Sequence, residues 1–455
     1  MRARRTAESF AFEQAYGRPP EFLVMSPGRV NLLGEHTDYN GLPVLPMALD
    51  RGIRVLGCPC EGPLVRLRHL DAAYPPREFT ASAQIPPDEA GDWCNYAKAA
   101  VQGLVEAGLV SEKPSGMNLL VWGDLPPAAG LSSSSALVVA VALAFLEANR
   151  RAVPRLELAE LLAGAERYVG TQGGGMDQAI CLLGEAGSAL MIDFYPLRAT
   201  PVPMPDQCAV VISHSLVRAP KTEEALLSYN RRPTECRIAA AMLARELRRA
   251  GDAANGSPRL GDLLEAQPLL LDVASELFGD GRWGVQQIAA HLGLHEDEVG
   301  SGFLTARDGR VQPEPEEGFH LLPRVRHVVT EARRVRSAYG ALSVGDVAEF
   351  GAAMDASHRS CAEDYGISTP ELDALAVLAR EAGALGSRLT GAGFGGCVVS
   401  LVPRDQAAEV MDRLWEGYYH GYLPQCRPEL APNDGARPSL LFTAEPSQGA
   451  SVERL

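Results

Sequence analysis

The stretch Ser26-Pro-Gly-Arg-Val-Asn-Leu-Leu-Gly-Glu-His-Thr-Asp-Tyr-Asn40 begins as strand material and ends in a polar cluster. Phe22–Leu33 reads as a strand interrupted at Pro27–Gly28. Arg29 alternates with Val30, a pattern that aims it into a cleft. Glu35, His36 and Asp38 follow within ten positions. Carboxylates beside an imidazole accept hydrogen bonds from hydroxyls, so they suit a polyhydroxyl ligand. A polar turn with a local ion pair is the plainer reading. Four such residues so close together argue against it.

Three further loops carry chemistry. Asp124-Leu-Pro-Pro-Ala-Ala-Gly-Leu-Ser-Ser-Ser-Ser-Ala-Leu137 places four serines before a segment, Leu137–Ala148, that is apolar nearly all round. The spacing predicts a buried helix there. One serine would serve as its N-cap. Four exceed that need, and a helix N-terminus with serine hydroxyls suits a triphosphate and Mg²⁺. Gly173-Gly-Gly-Met-Asp-Gln178 puts Asp177 at the start of another apolar segment, Met176–Leu183. It reads equally as a carboxylate on a helix dipole and as one held beside a ligand. Ser387-Arg-Leu-Thr-Gly-Ala-Gly-Phe-Gly-Gly-Cys397 lets backbone approach a ligand closely, but it misses the GxGxxG of a dinucleotide site.

The rest of the chain sets bounds. It has 455 residues, 46% hydrophobic and 22% charged, which suits two or three globular domains. Its net charge of −15 makes DNA and anionic lipid poor partners. Its three lysines, Lys98, Lys113 and Lys221, follow no glycine-rich run, so a P-loop is absent. Nine cysteines without zinc spacing read as reduced thiols. The longest apolar run, Leu137–Leu146, is about half a bilayer span. These features predict a cytoplasmic protein with no nucleic-acid or membrane partner.

Composition changes near Pro201–Pro205, which places a domain boundary there. Before it, a short helix stopped by Gly17 precedes strands at Val44–Leu49, Ile53–Cys58, Val65–Arg68 and Asn118–Trp122, with helices at Asn95–Leu109 and Leu156–Val169. After it, Cys208–Ile212 and Cys397–Val402 read as strands. Glu223–Leu227, Thr234–Ala250, Leu260–Ala266, Val285–His291, Val325–Tyr339, Val344–Ser357 and Pro370–Ala382 read as helices.

The loops resemble, in order, the motifs of the GHMP kinase superfamily, and within it the galactokinases. SPGRVNLLGEHTDYNG at 26–41 is similar to the galactokinase signature, GLSSSSALV at 130–138 to the phosphate loop, GGGMDQ at 173–178 to the segment with the catalytic Asp, and LTGAGFGGC at 389–397 to the third motif. The resemblance implies an α+β fold of two domains, 1–205 and 206–455, with the active site in the cleft between them. It implies ATP-dependent phosphorylation of the 1-hydroxyl of galactose by a monomer. Asp177 falls on the catalytic base, and Arg29 on the Arg that stabilises it and the developing charge. Arg29, Glu35, His36, Asp38, Gly174, Asp177 and Tyr229 fall on sugar-binding positions. Ala128, Gly130, Leu131, Ser132, Ser133 and Ser134 fall on ATP-binding positions, with Ser134 and Glu166 as Mg²⁺ ligands. Ala128 stands where many galactokinases have Gly. Glu166 has the mevalonate-kinase spacing, whereas galactokinases place their Glu where this chain has Ala165. PPAAGLSSSSALV and GGGMDQ resemble N-acetylgalactosamine kinases, while Thr37, Asn40 and Tyr229 resemble galactose enzymes. An N-acetylgalactosamine kinase and a non-catalytic galactose/ATP sensor are the alternatives.

Overall fold

This computed structural model describes residues 6–111, 113–126, 129–170, 173–217, 223–249, 258–305 and 310–455. Helix α1 (Ala7–Tyr16) is capped by the Thr6 hydroxyl and stopped by Gly17 at φ 70°. Strand β1 (Phe22–Leu33) runs through Pro27–Gly28, with a register shift between Pro27 and Arg29. Proline gives the ladder no N–H, so the strand bulges there. Val44–Leu49 and Ile53–Cys58, two strands in the sequence pattern, are one strand, β2 (Leu45–Cys60). Gly52 is a close approach and not a break. A Cβ on it would stand 2.2 Å from the Ser26 carbonyl oxygen.

Next come β3 (Leu64–His69), β4 (Arg77–Thr80), α2 (Cys94–Glu106), β5 (Gly116–Gly123), α3 (Ser133–Ala148), α4 (Arg155–Ala165), α5 (Met176–Leu183), β6 (Ser188–Asp193), β7 (Arg198–Pro203) and β8 (Cys208–His214). Helix α6 (Glu223–Arg249) carries Pro233 inside it, so Glu223–Leu227 and the helix after Pro233 are continuous. Ala250 lies outside the described residues. An interior proline costs about 3 kcal/mol, and burial of the apolar face that follows it, at Cys236, Ile238, Ala239, Met242 and Leu243, offsets that cost. Helices α7 (Leu260–Ala266), α8 (Leu270–Phe278), α9 (Val285–Leu292), α10 (Glu296–Val299), α11 (Leu321–Ser343), α12 (Val347–Ser360) and α13 (Pro370–Ala382) follow, then β9 (Gly386–Thr390), β10 (Cys397–Pro403), β11 (Leu441–Ala444) and β12 (Ser451–Arg454).

The strands form a six-stranded sheet, β12-β1-β2-β5-β3-β4, a four-stranded sheet, β11-β8-β10-β9, and the β6-β7 hairpin. The chain's last strand returns to the first half, where Val452 pairs with Val24. In α3, Ser135–Leu146 and Ala148 are all buried, as the apolar run predicts. A second core joins the halves: Val30, Leu32 and Met47 share it with Val335, Phe350, Ile212 and Val399. At this seam β1 meets β9. The Asn31 N–H donates to Thr390 Oγ1 at 2.8 Å, and Arg388 donates to the Asn31 carbonyl at 3.0 Å. The polar end of the opening stretch therefore lies between the two sheets. All nine cysteines are free thiols. Among the described residues, no helix is long and apolar enough to cross a membrane.

Candidate active site

The bulge in β1 turns Arg29 inward to meet Asp177 on the first turn of α5. Arg29 Nε and Nη2 donate to the two Asp177 oxygens at 2.8 and 3.0 Å, a bidentate pair. Burial works against the Arg29 charge, but Asp177 and Glu35 outweigh it and its pKa rises. Arg29 also donates to the Gly130 carbonyl, tying the pair to the loop before α3. Ser132 stands at the N-cap of α3 in the left-handed region (φ 58°), and its side chain does not cap the helix. Its hydroxyl donates to Asp177 instead. A non-glycine residue held there is costly and marks a working position. Ser133 and Ser134 stand half-buried on the first turn. Gly391 lies behind this loop, where a Cβ would come within 2.6 Å of the Gly130 oxygen. Gly130 and Leu131 are described; Ala128 lies outside the described residues.

The other end of the stretch is sewn into the protein. Asp38 accepts the Gly174 N–H at 3.1 Å. Gly174 must be glycine, since a Cβ would stand 2.3 Å from the Tyr39 nitrogen. Burial, with Asp177 nearby, lifts the Asp38 pKa to about 6 against the pull of its backbone hydrogen bonds. Glu35 accepts from Asn31 Nδ2 at 3.0 Å and the Gly391 N–H at 2.7 Å, and pairs with Arg388 at 3.5 Å. His36 bonds Tyr39 and the Ala392 carbonyl, and its ring centre lies 5.5 Å from that of Tyr229 on α6. The third glycine motif thus supports both the loop before α3 and the Glu35–His36 turn.

Glu166 lies beside Asp177. It accepts from Ser135 at 2.9 Å and from Gln178. Burial, and then the Asp177 charge, raise its pKa to about 7. Ala165, whose methyl carries no donor atom, packs against Gly103 of α2. Helix α4 ends at Ala165 and a 3₁₀ turn at Glu166–Val169 swings Glu166 toward α3.

The galactokinase galactose-binding signature matches residues 11–59, and the N-terminal and C-terminal GHMP kinase domains match 95–185 and 338–420. The galactokinase of Dictyostelium discoideum is 34% identical over 97% of this chain and 92% of its own length. The chain belongs to the galactokinase family. A second member, the galactokinase of Roseiflexus sp. (strain RS-1), is 38% identical over 90% of each chain. Among solved structures, the Lactococcus lactis galactokinase complexed with galactose matches with a TM-score of 0.77 at 29% identity, over 98% of each chain. A mevalonate kinase at 17% identity and a TM-score of 0.53 shares the fold. The fold is thus the two-domain α+β architecture of GHMP kinases, as the motifs imply.

Sequence reading misses five residues that this arrangement uses: Tyr39, Ser135, Gln178, Arg388, and Tyr365, whose hydroxyl bonds that of Tyr39 at 2.7 Å. Tyr39, Ser135, Gln178 and Arg388 each stand within a motif quoted above. Their position there is a signal; partners such as Glu166 for Ser135, 31 residues away, and Asn31 for Arg388, 357 residues away, are not visible along the chain. Tyr365 carries no local signal.

Proposed function

We propose that this family member transfers the γ-phosphoryl group of ATP to the 1-hydroxyl of D-galactose, with Asp177 as the base. One observation carries the assignment. The Asp177 side chain is 26% exposed while its partner Arg29 is 6% exposed. Asp177 Oδ2 accepts from both Arg29 and Ser132, whereas Oδ1 accepts only from Arg29 among the described residues. A carboxylate has room for about four bonds, so Oδ1 keeps a lone pair facing the cleft for a sugar hydroxyl proton. Arg29 fixes that carboxylate and offsets charge as the phosphoryl moves, which is most of what such transfer requires.

Gly130, Leu131 and Ser132–Ser134 would cradle the phosphates with the amides of the first turn of α3, where Ser132 supplies no side-chain cap. Asp38, held by the Gly174 amide, and Tyr229 would accept and donate to sugar hydroxyls, with Glu35 and His36 as the wall behind them. Mg²⁺ fits the donors present. Glu166 is a hard oxygen donor whose hydrogen-bond partners, Ser135 and Gln178, are neutral, and Ser134 precedes Ser135 on the first turn of α3. Bound with ATP, Mg²⁺ would neutralise phosphate charge that the lysine-poor chain does not. With Arg29, Asp177 and the serines all in place, a non-catalytic sensor has no support in this site.

The test is ADP release with galactose, N-acetylgalactosamine, glucose and arabinose. Galactose is expected to be turned over fastest. Turnover mainly on N-acetylgalactosamine, or on none of the four, would contradict the assignment.

A further inference from the structure

The hydrogen bonds of His36 fix its protonation. The Ala392 carbonyl only accepts, so His36 Nε2 carries the hydrogen across 3.2 Å. Burial pushes the imidazole pKa down to about 3, leaving the ring neutral and Nδ1 bare. A bare Nδ1 only accepts, so the Tyr39 hydroxyl donates to it at 2.9 Å. That uses the one hydrogen of Tyr39, so its oxygen accepts from the Tyr365 hydroxyl at 2.7 Å. By the same logic Tyr365 accepts from the Cys236 thiol at 3.2 Å. One carbonyl thereby orders every donor from Cys236 to His36.

Tyr365 and the loop carrying Ala392, on either side of His36 in this chain of bonds, rest on one segment of the second half. Tyr365 is fully buried and closes the π-helical turn Cys361–Tyr365 after α12. Such turns insert a residue and redirect a side chain, often at functional sites. Two residues on, the Ile367 carbonyl accepts the Phe394 N–H at 2.7 Å. A Cβ on Gly393 would lie 2.4 Å from that same oxygen, so Ile367 also fixes the loop carrying Ala392. With both nitrogens engaged, the His36 ring cannot turn. It stands 4.9 Å from Tyr365 and 5.5 Å from Tyr229, centre to centre.

We infer that Tyr365 is a positioning residue for sugar recognition: through Tyr39 it holds the His36 ring, whose tautomer the Ala392 carbonyl sets, in place beside Tyr229. The inference rests on the galactose reading above, since it assigns the effect of Tyr365 to that sugar. The sugar then meets a ring of fixed position in the wall of its site.

Tyr365→Phe and Tyr39→Phe keep each ring and remove one hydroxyl. The galactose KM is expected to rise about three- to tenfold in each, the worth of one neutral hydrogen bond. The ATP KM should move by less than about twofold, and the double variant should resemble the weaker single variant, because both break one network. Proton–nitrogen correlation spectra of the ¹⁵N-histidine protein read the tautomer without turnover. Wild type should show His36 protonated at Nε2, with the Nδ1 resonance moving toward an unbonded nitrogen in Tyr39→Phe. Equal rises in both KM values, multiplicative effects in the double variant, or a wild-type His36 protonated at Nδ1 would overturn the inference. The wild-type spectrum needs no variant to fold. It also separates a failure of this network from a failure of galactose as substrate.

Discussion

Near one end of the opening stretch, Arg29 grips the Asp177 carboxylate, whose side chain is 26% exposed. Six residues on, Arg388 faces the Glu35 carboxylate, whose side chain is 3% exposed. The chemical parts are the same and the surroundings differ. Asp177 Oδ1 has a single donor, Arg29, among the described residues. Glu35 has both oxygens bonded by Asn31 and the Gly391 amide. An arginine–carboxylate pair left open can take a proton from a ligand. The same pair closed on all sides can only hold two pieces of chain together, here β1 and β9. Whether such a pair does chemistry or architecture is decided by its remaining lone pairs.

That contrast can be broken from either side. Arg29→Met should lower kcat/KM by about a thousandfold or more, because Asp177 loses its bidentate partner and the site its compensating charge. Stability should fall less, since the exposed Asp177 reaches water; steady-state kinetics beside a denaturation curve checks both. Arg388→Met should do the reverse. It strands Glu35 in the interior and should cost about 3–5 kcal/mol of unfolding free energy in urea titration. An Arg388→Met protein as stable as wild type would mean Glu35 does not depend on that charge.

A smaller effect sharpens the comparison at Asp38, whose carboxylate is held by backbone amides. Its folded pKa of about 6 lies above its unfolded value of about 3.8. A raised pKa means the folded state holds the proton more tightly. The stabilisation is complete below pH 3.8 and is lost as pH rises through 6. Asp38→Asn removes this dependence. Without sugar it should be more stable than wild type at pH 8 by at most about 3 kcal/mol, no more stable at pH 3.5, and weaker in binding galactose. Thermal unfolding at the two pH values measures the difference. A constant gap between the proteins would remove Asp38 from the titrating role.

Much of this was legible along the chain, and the limits have physical causes. The Arg29–Asp177 pair spans 148 residues, and spacing alone left Asp177 open between a helix-dipole partner and a ligand carboxylate. The motif resemblance brought the two together. The buried helix α3 was plain from its apolar run, because a side chain with no polar face has nowhere else to go. The joins were not legible. Gly52 and Pro233 look like breaks locally, and contacts from distant segments carry the strand and the helix through them. Glu35 and His36 read as sugar ligands because their chemistry suits hydroxyls. Nothing near them announces that Arg388, Gly391 and Ala392 fold back to occupy their polar atoms. Ser132 read as one cap among four serines. Its left-handed backbone, set by the turn from Gly130, sends the hydroxyl to Asp177 instead.

The central claim is that Asp177 takes the sugar proton and does little to hold the sugar. Asp177→Asn keeps the size and removes the charge, so a single-turnover measurement of galactose 1-phosphate, run beside calorimetric galactose binding, tests it directly. The account predicts phosphoryl transfer slowed by about a hundredfold or more with galactose affinity within about threefold of wild type. Transfer at the wild-type rate, or a loss of galactose binding that alone accounts for the lost activity, would contradict it.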